Sequence, residues 1–279
     1  MTFISINYLF VFLPTVVGLY LAFRKTRFAN VVIMVASYLF YAAAAAWYLI
    51  PLVITSLLDF VVGLLLSRED RPRYRRALLI ASLSANLGLL ALFKYTHWLV
   101  DSLNVGFTAL GFGAVLPALL VTLPPGVYFY TFQTMSYTIE VYRREMEPTS
   151  NLIDYMSFVT FWPHLVAGPI MRAHNLLRQL EQARALITTD EIRYALLLIV
   201  WELFKKIVLA DNFGHITDSI DGIVRANLNF PGSGLLFGYA FAGQIYCDFS
   251  AYTDIARGSA KLIGVSPCTT LGVTVRRGA

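Results

Sequence analysis

Mostly apolar stretches recur along the chain, each close to the about 17–25 residues a helix needs to cross about 30 Å of hydrocarbon. They cover residues 9–23, 31–46, 49–66, 77–93, 116–137, 194–209 and 235–251. Of the 279 residues 57% are hydrophobic and 14% charged, where a soluble domain carries about a quarter charged. No two-residue alternation suggests a membrane β-barrel. The pattern predicts an all-α, polytopic helical membrane protein.

Basic residues cluster after the first span (Arg24, Lys25, Arg27), after the third (Arg68, Arg71, Arg73, Arg75, Arg76) and after the fifth (Arg143, Arg144). The positive-inside rule puts these loops in the cytoplasm and the N-terminus outside. Residues 47–51 and 101–113 hold no Lys or Arg, as the opposite side requires. The first span has no basic residue before it, so it reads as a retained helix and not a cleaved signal. Loop placement also accounts for the formal charge of +5. Without a basic face interleaved with aromatics, nucleic acid is excluded as a partner class. The lipid bilayer is the first partner the sequence implies.

Some segments fit less simply. Residues 152–170 are apolar but broken by Pro163 and Gly168-Pro169, with Arg144 and Arg172 flanking both sides, which favours a re-entrant or in-plane hairpin. Residues 172–193 suit an amphipathic helix on the cytoplasmic surface. Lys205 and Lys206 fall near what would be the outer end of the sixth span, where they must snorkel or the helix must tilt. No repeat or linker divides residues 1–264, which read as one membrane domain.

Residues 244–258 carry carboxylates where an apolar span should be ending, and ionisable groups at membrane depth usually serve a function. On a helix Gln244, Asp248 and Tyr252 share one face, and Ser250, Asp254 and Arg257 an adjacent one. Asp254 and Arg257 could neutralise each other or orient a substrate. Pro124-Pro125-Gly126 signals a helix start. Beyond it Gln133, Ser136 and Glu140 share a face that could line a polar cavity or hold helices together by hydrogen bonds. His164, beside Pro163, is a packing residue or a base. Cys247 and Cys268 give neither a disulfide framework nor a redox motif. The four histidines, His97, His164, His174 and His215, lack metal-ligand spacing, so no metal is expected.

Four islands stand out: Pro124-Pro125-Gly126 leading to Gln133, Phe161-Trp162-Pro163-His164 leading to Gly168-Pro169, Phe204-Lys205-Lys206 leading to Asp211-Asn212, and residues 244–258. In this order they resemble the bacterial branch of the membrane-bound O-acyltransferases, most closely the branch that O-acetylates alginate. The similarity runs over residues 1–264. It implies a multi-pass protein of the bacterial inner membrane that moves an acyl group, acetyl first of all, to hydroxyls of an exported polysaccharide such as alginate. It also implies acetyl-coenzyme A or another acyl carrier as donor, no bound cofactor, and periplasmic or membrane-anchored acetylation proteins as partners. The substrate-channel candidates are Gln133, Gly168, Pro169, Asp248, Tyr252 and Asp254, with Gly168-Pro169 near the funnel where donor and acceptor meet.

The family's general base is a histidine after a Phe-Trp-x-Arg-Trp-His pattern, which nothing here matches. The resemblance therefore places no catalytic residue in this chain, with His164 as the fallback. Residues 265–279 have no helical period and read as a tail outside the resemblance, as a truncation or frameshift after Gly264 would give. On that expectation the chain is inactive alone. A transporter and a non-catalytic membrane scaffold are the alternatives from other classes.

Overall fold

The computed structural model describes residues 3–112, 123–165, 171–181, 187–225 and 231–266. Among them every regular element is helical. They group into two compact units, one containing Met1–Val32 and Gln182–Ala279, the other Ile33–Val166 and Ile170–Glu181.

In the second unit, α2 (Phe28–Ala42), of which residues from Ile33 onward belong here, is followed by α3 (Leu49–Arg68) and α4 (Pro72–Ala109). The apolar helices long enough to cross a bilayer among the described residues are two, Ala46–Arg68 and Pro72–Ala109. Pro72 opens α4 at a position that needs no N–H donor. That helix runs 38 residues, well past the span predicted to end at residue 93. The stretch 101–109, placed between spans on the outer side for its lack of Lys and Arg, continues the helix instead.

The helix α5 (Val127–Tyr142) starts behind Gly126, whose φ of 75° is the left-handed turn that Pro124-Pro125-Gly126 announced. The span drawn over residues 116–137 is thus corrected at its start. The prolines cannot continue a helical hydrogen-bond ladder through them, and residues 113–122 lie outside the described set. Next come α6 (Leu152–Val159), capped by the Asn151 side chain accepting from the Ile153 N–H, and the four-residue α7 (Trp162–Leu165). The chain is broken at Thr160 and Phe161, two residues before the break expected at Pro163, which instead sits in the first turn of α7; Gly168-Pro169 lies outside the described residues. The helix α8 (Ala173–Glu181) buries Leu176, Leu177 and Leu180 along one side, so the amphipathic pattern is real, although its buried stripe faces protein.

An aromatic core holds this unit. The Tyr137 and Tyr155 rings meet edge-on at 4.7 Å, with Phe60 and Phe158 around them. A Cβ on Gly63 would stand 2.7 Å from the Tyr137 ring, so only glycine lets α3 approach α5 this closely. Deeper in α3, Asp59 is fully buried and accepts from Ser82 Oγ at 2.5 Å and Asn86 Nδ2 at 2.7 Å. Hydrogen bonding of this kind is what permits a carboxyl among apolar helices.

In the first unit a π-helical segment, Asn7–Phe12, leads into α1 (Leu13–Phe23). The helix α9 (Thr189–Phe204) begins with a capping box between Thr188 and Glu191. It continues through the π-helical segment Lys205–Ala210 into α10 (Asp211–Arg225) with helical backbone at both junctions. Antiparallel to this rod lies α11 (Ser233–Lys261). A Cβ on Gly258 would stand 2.7 Å from Ile199 Cγ1 and 3.0 Å from the Ala195 carbonyl oxygen, which fixes how near the two helices pass. After α11, Gly264 takes a φ of 75° and the Val265 N–H returns to the Ala260 carbonyl, closing the helix end.

Candidate functional site

The polar faces predicted on residues 244–258 are there, and they meet charges from α9 and its π-helical extension. Lys206 Nζ lies 2.7 Å from Asp248 Oδ1 and 2.6 Å from Asp211 Oδ1. Lys205 Nζ lies 2.6 Å from Glu202 Oε2 and donates to Ser250 Oγ at 2.8 Å. Arg257 pairs with Asp254 one turn further along α11. Three groups thus stand along the two helices: Ser250–Lys205–Glu202, the pair Asp254–Arg257, and the triad Asp211–Lys206–Asp248.

The π-helical segment explains how two neighbouring lysines both find partners. On an α-helix, residues five apart point about 140° away from each other. Where the turn widens to i, i+5 closure, they stack. Lys206 and Asp211 are five apart and bonded, and the wider turn leaves Lys205 free to reach Glu202 and Ser250. The lysines therefore do not sit at the outer end of a span, as drawn from the sequence. They sit midway along the rod Thr189–Arg225, pointing at α11, with side chains only 17% exposed.

Around this cluster Tyr252 packs near Phe3, ring centroids 6.4 Å apart. Tyr8, from the first π-helical segment, meets Ser259 hydroxyl to hydroxyl at 2.8 Å. Further along, Thr217 Oγ1 donates to Gln244 Oε1 at 3.0 Å. Cys247 is buried.

The candidates on the other unit have structural partners. Gln133 is buried and donates from Nε2 to the Phe158 carbonyl at 3.0 Å, tying α5 to α6. Glu140 accepts from Ser136 Oγ and from the backbone N–H groups of Ala173 and His174 at 3.2 and 2.9 Å, so its carboxylate caps α8. Of the two readings of that face, helix-to-helix hydrogen bonding is the one the geometry follows. His164 is buried with its ring 5.3 Å from that of Phe161, and the Trp162 N–H beside it donates to Ser37 Oγ at 3.1 Å. Gly168 and Pro169 lie outside the described residues. Among the described residues no three His, Cys, Asp or Glu side chains gather as a metal site would need.

Sequence reasoning missed Glu202 and Asp211 as members of the cluster, and Asp59 altogether. A signal existed for Asp59, since Ser82 and Asn86 are four apart on one face of an adjoining apolar segment. For Lys205 and Lys206 the only signal was their cost in an apolar run, which demands counter-charges without saying which.

No family model matches the sequence. Relatives do: the chain is 33% identical over 267 residues, 95% of its length and 50% of the relative's, to a probable alginate O-acetylase of Pseudomonas aeruginosa. It is 30% identical to a peptidoglycan O-acetyltransferase of Helicobacter pylori, over 90% of this chain and 52% of that one. A teichoic acid D-alanyltransferase of Lacticaseibacillus rhamnosus shares 23% identity over 50% of this chain and 36% of its own. The chain is thus similar, over nearly its whole length, to alginate O-acetylases of the membrane-bound O-acyltransferase family and to a peptidoglycan O-acetyltransferase. It spans about half the length of the curated relatives it matches.

Proposed function

We propose that this chain forms the first half of a multi-pass inner-membrane O-acyltransferase that passes an acyl group, acetyl in the simplest case, to hydroxyls of an exported polysaccharide such as alginate. The observation that carries this reading is the similarity, over 95% of the chain, to proteins named as O-acetylases of a polysaccharide. The donor is a cytoplasmic thioester, acetyl-coenzyme A or another acyl carrier, and the acceptor side works with periplasmic or membrane-anchored acetylation partners.

Acyl transfer to a hydroxyl needs a general base, and His164, closed in against Phe161, is poorly placed to reach a substrate. We assign the base to the half of the relatives that this chain does not span. The charged cluster between α9 and α11 has a positioning role, holding Asp248, Tyr252 and Asp254 in fixed geometry on a rigid helix pair. Complementation in cells lacking their own alginate O-acetylase tests this. The 279-residue chain alone should leave the polymer unacetylated, and residues 1–264 joined to the remaining half of an alginate O-acetylase should restore acetyl groups. Acetylation by the chain alone would move the base to His164. A fusion that inserts yet never acetylates would remove the acyltransferase reading.

Orientation is tested separately. A cysteine introduced at Arg73 should resist a membrane-impermeant thiol reagent in intact cells, and one at Asn104 should react. The opposite pattern would invert the topology.

A further inference from the structure

A cavity of about 850 Å³ opens at one end of the second unit, where the last turn of α3, the first turn of α4, the end of α5 and α8 converge. Acyl transfer gives it no task. Its floor is Arg75, only 7% exposed. That guanidinium donates to four backbone carbonyls: those of Leu66 and Glu69 at the end of α3, and those of Val141 and Tyr142 at the end of α5. Two helix C-termini, each carrying partial negative charge, hold the cation in place without a carboxylate.

Nearer the mouth, Asp70 is neutralised by Arg144 at 2.9 Å and Glu145 by Arg143 at 3.6 Å. Arg68 and Arg178 have no ion-pair partner among the described residues. Glu147 and Glu181 are the lining carboxylates in no ion pair; lining arginines and lining carboxylates balance four to four, and the excess of positive charge comes from the flanking segments. The surrounding segments 68–76, 143–147 and 172–181 hold nine arginines against five carboxylates. The resulting field draws in anions and screens little over the width of a cavity. A guanidinium fork matches phosphate oxygens in a way that few other groups do.

We propose that this cavity binds a phosphate group, held between the Arg68 and Arg178 guanidinium groups above the fixed charge of Arg75. Either the headgroup of an anionic phospholipid or a small soluble phosphate can present that chemistry. The inference stands on the cavity and its arginines, independent of acyl transfer, and only the lipid source assumes a membrane.

The test is thermal unfolding of the purified full chain in detergent, titrated with inorganic phosphate, with short-chain phosphatidylglycerol, or with short-chain phosphatidylcholine, at constant ionic strength. A saturable rise in Tm of about 2–4 °C is expected for an occupied site in a chain of this size. The response should vanish in the Arg68→Gln/Arg178→Gln variant and survive in Arg68→Lys/Arg178→Lys. Both residues are exposed, so the variants should fold; if the double variant does not, Arg178→Gln alone should weaken apparent affinity on the order of tenfold. A response to phosphatidylglycerol alone identifies the lipid source, and one to inorganic phosphate as well identifies the phosphate group itself. A wild-type chain whose Tm ignores both, or a glutamine variant that responds like wild type, overturns the proposal.

Discussion

Replacing Lys205 with methionine is expected to lower stability by about 3–5 kcal/mol, because it leaves the buried Glu202 carboxylate without its cation. Methionine keeps most of the aliphatic length, so the loss isolates the charge from the packing. The measurement is the yield of inserted protein together with resistance to denaturant. Changing Glu202→Leu in the same chain should recover most of the deficit, since removing both ions costs less than stranding one. If the two losses simply add, the pair is not the electrostatic unit described here.

Replacing Arg75 with methionine should cost about 3 kcal/mol, since buried carbonyl oxygens lose their donors at the ends of both α3 and α5. Arg75→Lys should recover little of this. An ammonium is a point donor and cannot span four carbonyls from two helices as the planar guanidinium does. Full recovery by lysine would mean that charge at the helix C-termini, and not the fork geometry, is what matters. The readout is again unfolding of the purified chain.

Where local chemistry decided the outcome, the sequence was a good guide. The apolar run from Leu49 forms α3 as drawn, ending two residues later, at Arg68. Pro124-Pro125-Gly126 opens α5, and the period of residues 244–258 puts Asp254 and Arg257 together on one helix. What escaped it depends on long-range pairing. Residues 211–225 are too polar to read as part of an apolar span, yet they extend α9 because their buried side packs on α11. Lys206 meets Asp248, 42 positions along the chain, only because a widened turn reorients it, and nothing local in Lys205–Ala210 announces that turn. Gln133 looked like a channel residue because polarity in an apolar helix has two explanations. Its partner, a backbone carbonyl on α6, is invisible to a pattern.

Small residues line the contact between α9 and α11, with Ala195 against Gly258 and Ala251, Ala256 and Ala260 buried nearby. The glycine contact at Gly258 already resists sliding, since a slip would bring a residue with a Cβ against Ile199. The ions penalise it further. An axial slip of one turn, about 5.4 Å, would set Lys206 against Gln244 or Tyr252 and leave Asp248 with no cation. The pair therefore has one favoured alignment and steep penalties a turn to either side, as a detent holds a sliding bolt. Neutralising the detent, as in the Lys206→Gln/Asp248→Asn double change, would let the hairpin sample its neighbouring alignments. Cysteine pairs placed one turn out of register across α9 and α11 should then cross-link where the parent chain's do not.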